Sequence, residues 1–574
     1  MQNSIPSFIF FASPPKRGTY VPLPSLLFLM ELISVIWQFL LLWIFIYIFV
    51  FLIQFFTTKN PGPRRATPHS VLPTFSISSS NEVERDQWSI KLFQVKYTTH
   101  RLNSFFQRLT QLAPWFWKAW FHIGALAASV TMVVGMAVIV YAGLKILSSL
   151  TRIVSVDQSQ HVKRELVEPN NGDEQVFLPM IPGVTLPMSH IGYYLLALTV
   201  CGLFHEAGHA MASFAEGVPI QSSGMFVMYL YPGAFVNIPD QQLQALAPFR
   251  QLKIICAGVW HNLVLYLFAS LSLAGGLKLL LILIGWQSLE GQGGVSVVDI
   301  RTNSPLATHL PPATLIYQLD DTPLTHNIED WNTFLFKEDG RHTLEQGFCI
   351  SKTHENYGDK CCDIDDTNPF GRSPNTTISC FRSIETALDK QCLSTLPILA
   401  SKDIPRCKEA SDCHGPGMSC VIPYTPSAAG QVVRIYAQIP SWVESEETDR
   451  RRIFIFEGEL VDIWESVKVS ILSPQFRILP VSLPHILELI LRYISSFTIA
   501  LALLNILPAF KLDGEFALEQ LLISFMQPTD ASLVTTTRTY RGTKQVQDSI
   551  VKITSIVVGF VIVGSLVMGL LSVV

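Results

Sequence analysis

Two histidines and a glutamate stand close together in the string His205-Glu206-Ala-Gly-His209. On a helix, residues four positions apart project from the same face, so both imidazoles can bind one metal ion with Glu206 beside them. Zinc is the metal that best suits such a set of side chains. The string therefore predicts a site for one Zn²⁺ ion, with Glu206 as the catalytic residue.

The location of this string separates two interpretations of it. The same residues can arise by composition alone, since most histidines are ordinary polar residues. Here, however, they end an apolar run that begins near Ile191. An acidic side chain inside a membrane helix costs about 2.5 kcal/mol or more, so an intramembrane polar cluster is a functional site by default.

Asp513 is the candidate third metal ligand, because a catalytic zinc site uses three protein ligands and keeps one position open. Pro508 stops the preceding helix, and Gly514 lets the backbone pass close to a neighbour. In the alternative interpretation Asp513 is only the N-cap of a helix, in a common Leu-Asp-Gly turn. Its position at a membrane boundary, in a chain that already has the histidine motif, favours the ligand role.

The predicted chemistry is peptide hydrolysis without a covalent intermediate. Zinc held by His205, His209 and Asp513 would activate a water molecule, and Glu206 would take its proton and pass it to the leaving amine. A helical substrate hides its carbonyls in its own hydrogen bonds, so it must first unwind. The apolar stretch 225–236 could hold the unwound segment by strand pairing.

The composition predicts a multi-pass membrane protein. The chain is 49% hydrophobic and only 15% charged, and its mean hydropathy is +0.34, whereas a soluble protein has about 25% charged residues. With a net charge of −4, the chain offers no basic surface for nucleic acid, so nucleic-acid binding is excluded.

Six apolar segments are long enough to cross a bilayer. In chain order they are 26–56, 119–144, 187–215, 251–286, 485–507 and 550–574. The fourth is expected to kink at Gly275-Gly276. The stretch 225–236 lies in a segment rich in Gly and Pro; because bare extended backbone cannot cross lipid, we expect it to re-enter beside the catalytic helices as a strand or hairpin.

Charge predicts the orientation of the chain. Residues 57–118 hold nine Lys or Arg against three acids, so the positive-inside rule places this loop in the cytosol. The first half of the loop, rich in Pro and Ser, is expected to be disordered. Helix counting then places 151–184 and 288–484 in the lumen.

Eight of the ten cysteines lie between 349 and 420, in the one large hydrophilic region. They predict a disulfide framework, with a zinc-binding module as the alternative. The sequon at Asn375 falls in the same region and favours an oxidising lumen in which Asn375 carries a glycan. The pairing is left open, because eight cysteines allow about a hundred connectivities.

The predicted fold is a polytopic α-helical membrane protein of about six transmembrane helices, with an inserted luminal domain that is β-rich and rich in cysteine. The start of that domain, from Gly294 to a hairpin near Asp320, resembles part of a PDZ domain. The predicted regions are 1–118 (N-terminal extension with the first membrane helix and a basic cytosolic loop), 119–186 (second membrane helix and luminal loop), 187–287 (first catalytic membrane half), 288–484 (luminal PDZ-like domain) and 485–574 (second catalytic membrane half).

Taken together, the motifs resemble those of the metazoan site-2 proteases, a family of intramembrane zinc metalloproteases. The resemblance extends from about residue 110 to the end of the chain, so the N-terminal extension departs from it. It is carried by Phe204-His205-Glu206-Ala-Gly-His209, Tyr231-Pro-Gly-Ala-Phe-Val, Cys256-Ala-Gly-Val-Trp-His-Asn262, Asn505-x-x-Pro508, Leu512-Asp513-Gly514 and the cysteine-rich region.

The resemblance implies specific roles and partners. Asn505 and Asn262 would contact the substrate backbone near the zinc, although each could instead make a hydrogen bond between helices, and for Asn262 the two roles are equally weighted. The implied substrates are membrane-anchored transcription factors of the sterol-regulatory-element-binding and unfolded-protein-response types, cut within a transmembrane segment after a prior luminal cut. The implied location is the Golgi or endoplasmic reticulum membrane, with a role in regulating lipid metabolism, and the PDZ-like domain would exclude uncut substrates by size.

A function of another class is a catalytically silent membrane scaffold, or a transporter, that uses its luminal domain for binding. A silent relative is expected to lack Glu206 or Asp513, and both are present. Many transporters contain an inverted repeat, and none is evident in this sequence. The enzyme is therefore the favoured interpretation.

Overall fold

The structure is a computed structural model of the 574-residue chain, and it divides into two units. The first unit comprises Met1–Leu271 and Ile490–Val574, and the second comprises Ser272–Leu489. The described residues are 25–57, 86–156, 187–336, 344, 346–351, 362, 378–384, 390–401, 404–415, 417–425, 430–443, 450–526 and 533–573. The predicted glycosylation site Asn375 lies outside them.

The elements before the unit boundary are mostly long helices with two hairpins between them. They are α1 (Ser25–Thr57), β1 (Gln87–Lys91), β2 (Gln94–Thr99), α2 (Arg101–Leu112), α3 (Pro114–Val156), α4 (Ile191–Ala215), β3 (Ser222–Met228), β4 (Tyr231–Asn237), α5 (Asp240–Gln244) and α6 (Pro248–Leu271).

The second unit begins with a short helix and is then mainly β structure. Its elements are α7 (Leu277–Ile284), β5 (Trp286–Ser288), β6 (Val295–Ile300), β7 (Leu315–Leu319), β8 (Thr322–Pro323), α8 (Ile328–Phe336), β9 (Gly347–Ser351), β10 (Ile378–Ser383), β11 (Lys390–Ser394), α9 (Thr395–Leu399), β12 (Arg406–Cys407), β13 (Met418–Pro423), β14 (Gln431–Gln438), β15 (Arg451–Gly458), α10 (Leu460–Ser466), β16 (Val467–Ser470) and β17 (Leu472–Pro474).

Three helices complete the chain, and with them six helices of the described residues are long and apolar enough to cross a membrane. The last helices are α11 (Leu483–Ile506), α12 (Asp513–Met526) and α13 (Leu533–Val573). The candidate spans are Trp37–Gln54, Pro114–Ser149, Met188–Ala215, Pro248–Ile284, Leu483–Ile506 and Lys544–Met568. The protein is therefore a multi-pass membrane protein, as the six apolar segments predict. The expected kink is present, since a π turn at Ser272–Gly276 separates α6 from α7 and Gly275 has φ of 141°.

The predicted hairpin near 225–236 forms as β3 and β4, and it belongs to a four-stranded antiparallel sheet of order β1-β2-β3-β4. The predicted cytosolic loop 57–118 holds β1, β2 and α2 over most of 87–112, and the sequence analysis assigned none of these elements. Its first half, predicted to be disordered, lies almost entirely outside the described residues. Short strands of mixed polarity give no clear periodic signal, and β2 is fixed by pairing with β3, which is distant in sequence.

The N-terminal helix α1 packs on the tips of these hairpins. Trp43 is almost fully buried against Phe93, in the turn between β1 and β2. The Tyr47 hydroxyl accepts the Phe93 N–H at 2.8 Å and donates to the Lys91 carbonyl at 3.1 Å. The Phe93 carbonyl in turn accepts the N–H of Tyr229, in the turn between β3 and β4, at 2.8 Å. The N-terminal extension is therefore part of the sheet assembly of the first unit.

Small side chains let the helices of the first unit approach closely. Ala128 of α3, Val259 of α6, Ala502 of α11 and Ala517 of α12 are buried in one cluster. Helices in membranes associate chiefly through such close packing, because lipid tails are as apolar as the side chains they replace. This packing brings α12 against α6, far from it in sequence.

The second unit contains two larger sheets and a disulfide framework. One sheet has the order β15-β14-β7-β6-β16 with β8 on β7, and the other has the order β11-β10-β13-β9-β12. The disulfide interpretation is confirmed over the zinc module for the described cysteines of this region. Six of them pair as Cys349–Cys413, Cys362–Cys380 and Cys407–Cys420, and Cys392 is also disulfide-bonded. The hairpin expected near Asp320 is present as β7 and β8, and β6 precedes it after Gly294. The likeness to a PDZ domain stays a prediction.

A network of charged side chains joins these two sheets, with Arg406 in one sheet and Arg434, Asp320 and Asp321 in or beside the other. Arg434 on β14 is only 4% exposed, and its Nε and Nη2 donate to Asp320 and Asp321 at 2.6 Å each. Arg406 on β12 donates from Nη2 to the other oxygen of Asp320 at 3.1 Å. The charges are thus neutralised within the contact between the sheets, which is what burial of charged groups requires.

Glu216, at the end of α4, supports a prediction on stability. Its side chain is 4% exposed, and it pairs with Arg250 at 2.6 Å and with Lys253 at 2.5 Å on α6. Burial alone would raise the pKa of Glu216, but the hydrogen bonds from Lys253 and Arg250 lower it below its ordinary value of 4.5. The pair therefore stabilises the fold above about pH 4.5, and this contribution is lost as the pH falls through the lower pKa of the folded state.

We expect Glu216→Gln to lower the free energy of unfolding by about 3 kcal/mol near neutral pH, because it leaves Lys253 buried without its counter-charge. The difference in thermal unfolding midpoint between the two proteins should shrink as the pH is lowered below about 4. Glu290→Gln is the control, since Glu290 forms an exposed pair with Lys278 that contributes little. A difference in unfolding midpoint that does not change with pH would contradict the stabilising role assigned to the Glu216 ion pairs.

Candidate metal centre

Helix α4 presents His205, Glu206 and His209, because four residues make just over one turn. His205 is 6% exposed and His209 is also largely covered. Gly208 lies where α4 meets α6, and a Cβ there would be 2.5 Å from the Ala257 carbonyl oxygen. The motif therefore needs glycine at this position so that α6 can pack directly against the two imidazoles.

Asp513 reaches the same place from the other end of the chain. Helix α11 ends at Ile506, two residues before Pro508, and Asp513 begins α12. A Cβ on Gly514 would overlap the carbonyl oxygens of Ile506 and Leu507, so only glycine lets the loop close on α11. The predicted end of one helix and start of another within this motif is confirmed.

Two further hydrogen bonds hold the loop before Asp513. The Phe510 N–H donates to the Ser555 hydroxyl of α13 at 2.9 Å, and the Lys511 N–H donates to the Glu515 carboxylate at 2.7 Å. Lys511 has φ of 64°, in the left-handed region that a β-carbon disfavours. The position of Asp513 is thus fixed by contacts on both sides.

The three predicted ligands converge. The Nε2 atoms of His205 and His209 are 3.2 Å apart, and Oδ2 of Asp513 lies 3.1 Å from the first and 3.4 Å from the second. Ligand atoms on a tetrahedral metal with bonds of about 2.0 to 2.1 Å are about 3.3 Å from each other. The three atoms therefore have the spacing of three corners of a metal tetrahedron, and their chemistry suits a divalent metal.

The outer nitrogens of both rings are also engaged. His209 Nδ1 lies 2.8 Å from the Ile254 carbonyl oxygen and donates to it, which leaves the Nε2 lone pair free for a metal. His205 Nδ1 lies 3.3 Å from the side-chain amide of Asn262. Gly258 of α6 lies against both imidazole rings, and a Cβ there would be 2.6 Å from Cε1 of His205.

Asn262 and Asn505, the two predicted substrate contacts, both touch His205. Asn505 Nδ2 is 3.4 Å from Nε2 of His205, and this residue is partly exposed. Asn262 is fully buried, with 0% exposure, and its backbone carbonyl accepts a hydrogen bond from the Thr498 hydroxyl of α11 at 2.9 Å. The Asn262 side chain is closed to the surface and contacts His205 of α4, and its role in substrate binding stays a prediction.

Glu206 lies beside this cluster without joining it. Its carboxylate lies near the backbone N–H of Val236 on β4. Strand β4 is the last strand of its sheet, so one of its edges is not paired with another described strand. The free edge of β4 therefore runs along α4, where Gly202 leaves room beside the Ala234 N–H.

The sequence analysis gave no role to three of these positions: Ile254, Gly258 and Val236. Ile254 and Val236 contribute backbone groups, which every residue type carries, so their roles cannot be read from residue types, although Val236 ends the quoted motif that begins at Tyr231. Gly258 lies in the quoted motif that begins at Cys256, and a glycine inside a helix was a signal for close approach.

A sequence profile of the family described as Peptidase family M50 matches residues 193–537, more than half of the chain, and this range holds His205, His209 and Asp513. The chain belongs to peptidase family M50. A relative in Arabidopsis thaliana, named "Membrane-bound transcription factor site-2 protease homolog", is 28% identical over 393 residues, which cover 60% of this chain and 72% of the relative. The predicted membership of the site-2 proteases is confirmed.

Membership in M50 makes the chain an intramembrane metalloendopeptidase. It also weakens the alternative of a silent scaffold or transporter, because the profile, the polar cluster and the six spans agree. The M50 match begins at residue 193, so α1, the two N-terminal strands and α2 lie outside it.

Asn262 offers a test of the M50 metal centre. A metal on Nε2 of His205 requires the proton on Nδ1, so the neighbouring group must accept a hydrogen bond. Among the described residues, no group donates a hydrogen bond to the buried Oδ1 of Asn262. Rotation of the side-chain amide by half a turn places this Oδ1 next to Nδ1 of His205. Asn262 is then the acceptor that orients His205.

We expect Asn262→Asp to retain metal, because it keeps an acceptor beside Nδ1. Asn262→Leu has a similar volume but no acceptor, and it should lower metal affinity about 10- to 100-fold. Both affinities are measured by chelator competition on the purified protein. Equal loss in the two variants would indicate a packing role, and unchanged affinity in Asn262→Leu would exclude an orienting role.

Proposed function

We propose that this peptidase is a zinc-dependent enzyme that cuts membrane-anchored transcription factors within a transmembrane segment, after a prior cut in the lumen. The convergence of His205, His209 and Asp513 at tetrahedral spacing, within a membrane-spanning unit, is the observation that carries the proposal. The name of the Arabidopsis relative, which refers to membrane-bound transcription factors, supports the substrate class.

The residues that would hold one Zn²⁺ ion are His205, His209 and Asp513, through the three atoms that face each other. Two neutral imidazoles and one carboxylate are a donor set that zinc prefers in hydrolytic sites. Bound there, zinc would supply Lewis-acid chemistry to the scissile carbonyl. The Ile254 carbonyl and Asn262 would keep both rings in the tautomer that leaves Nε2 free.

Glu206 is proposed as the general base and acid. It is adjacent to His205 in sequence and is partly exposed, so its carboxylate can reach a water molecule at the site. It would take a proton from the attacking water and return it to the leaving amine. The Val236 N–H lies near the carboxylate and would orient it before the reaction.

The free edge of β4 is proposed to bind the unwound substrate. Its outward-facing N–H and C=O groups run beside the site, and they can pair with an extended peptide as an added strand. Asn505, partly exposed and next to His205, would hydrogen-bond the substrate backbone. Strand pairing places a scissile carbonyl without reading its side chains, which suits an enzyme with several substrates.

The second unit is proposed as a luminal, PDZ-like filter that excludes uncut substrates. Its three described disulfides fit an oxidising compartment such as the Golgi or endoplasmic reticulum lumen. We keep the predicted domain limits and the glycan on Asn375 as part of this proposal. The substrates would be of the sterol-regulatory-element-binding and unfolded-protein-response types.

Glu206→Gln should abolish cleavage while metal content and folding stay unchanged, because only the proton acceptor is lost. The assay is release of a tagged membrane-bound transcription factor in cells that lack their own site-2 protease. Glu519→Gln, in α12, is the matched control and should cleave normally. Cleavage by the Glu206→Gln enzyme would refute the mechanism, and loss of metal would show a structural role instead.

Asp513→Asn should stop cleavage and also reduce zinc affinity, because a neutral amide is a much weaker zinc ligand than a carboxylate. If Asp513 were only an N-cap, asparagine would replace it with little effect. Zinc content is measured on the purified protein, with Asp548→Asn in α13 as the control. An active variant with full zinc would show that the third ligand lies elsewhere.

A further inference from the structure

Helix α2 has an apolar strip that is exposed. Leu102, Phe105 and Leu112 are 44%, 57% and 81% exposed. At about 100° per residue, these three lie on one side of the helix. Phe106 and Leu109 belong to the same broad apolar side, and they pack against the cluster of buried residues around Phe121. Part of the apolar side therefore packs against the protein, and the part formed by Leu102, Phe105 and Leu112 stays exposed.

The basic residues of α2 lie at the border of the exposed strip. Arg101 and Arg108 fall between the apolar strip and the polar side formed by Ser104, Gln107 and Gln111. The helix contains no acidic residue, and Arg101, whose side chain is 86% exposed, also pairs with Asp86, just before β1, at 3.1 Å. Long basic side chains at such a border can extend to lipid phosphates while the apolar strip enters the acyl region.

The position of α2 in the chain also points to a membrane surface. It ends at Leu112, and α3 begins at Pro114 with a candidate membrane span. Trp115, at the start of that span, is 83% exposed, as is common for tryptophan at a lipid–water boundary. Twelve residues of helix extend only about 18 Å, too short to cross the acyl core. Helix α2 must therefore stay near the plane in which α3 enters the bilayer.

We propose that α2 is a membrane-surface helix that binds the lipid bilayer through its exposed strip and binds anionic headgroups through Arg101 and Arg108. The side of α2 that faces the protein connects this membrane binding to the β3–β4 hairpin. Asn103 Nδ2 donates to the carbonyls of Ile220 and Gln221 at 3.1 Å, and His100 Nδ1 contacts the Gln221 carbonyl at 2.8 Å. These carbonyls link α4 to β3, so α2 anchors the base of the β3–β4 hairpin to the membrane surface.

The test uses the full chain in phosphatidylcholine vesicles with a nitroxide label at one position. Phe105→Cys labels the apolar strip, and Ser104→Cys, the adjacent residue on the polar side, is the matched control. The native free cysteines Cys201 and Cys256 are buried, and the unsubstituted chain shows their background labelling. Power saturation compares the accessibility of the label to oxygen, which enriches in lipid, and to a water-soluble nickel chelate.

We expect the label at 105 to be accessible to oxygen and protected from nickel, at a depth of about 5 to 10 Å, and the label at 104 to show the reverse. Nickel access at both positions would overturn the proposal. Protection of the label at 105 from both reagents would mean that protein covers the strip. Dipolar broadening between labels would then show that a second copy of this chain covers the strip. Without such broadening, the covering protein would be a different one.

The headgroup part is tested in the same vesicles with about 20% phosphatidylserine, a usual anionic fraction. The label at 105 should move deeper, and the shift should disappear in Arg101→Gln/Arg108→Gln. No shift in the chain with both arginines, or an equal shift without them, would overturn the role of these residues. Reporter cleavage is not needed for this measurement, so its outcome does not depend on the proposed function.

Discussion

The convergence of His205, His209 and Asp513 inside a bundle of membrane helices is the constraint on which the rest of the first unit depends. Polar groups in an apolar surrounding are costly unless each has a partner. Here the inner atoms of the three side chains face each other, and the outer nitrogens meet the Ile254 carbonyl and Asn262. The site is thus satisfied on both sides, and a metal would complete it.

Such convergence requires helices that almost touch. Gly208 on α4, Gly258 on α6 and Gly514 on α12 each lie where a methyl group would overlap a neighbour. Each of these glycines is thus required by a neighbouring backbone or imidazole. The same closeness explains why backbone carbonyls and not only side chains orient the histidines.

The sheet beside the site combines parts from two regions of the chain. Strands β3 and β4 follow α4, whereas β1 and β2 come from before α3, together with α1 and α2. Tyr47 of α1 holds one end of the paired hairpins, and Asn103 of α2 holds the connection between α4 and β3. The edge that faces Glu206 is therefore supported by the N-terminal region, which lies outside the M50 match.

The sequence by itself determined what depends on local spacing. Helical periodicity places His205 and His209 on one face, apolar length marks the six spans, and Pro508 with Gly514 marks a break that exposes Asp513. Only the tertiary structure decided what depends on long-range packing. No periodic or compositional signal marks the pairing of β2 with β3 or the hydrogen bond from His209 to the Ile254 carbonyl, because backbone groups are the same in every residue. No such signal marks the complete burial of Asn262 either, because burial depends on neighbours that are distant in sequence.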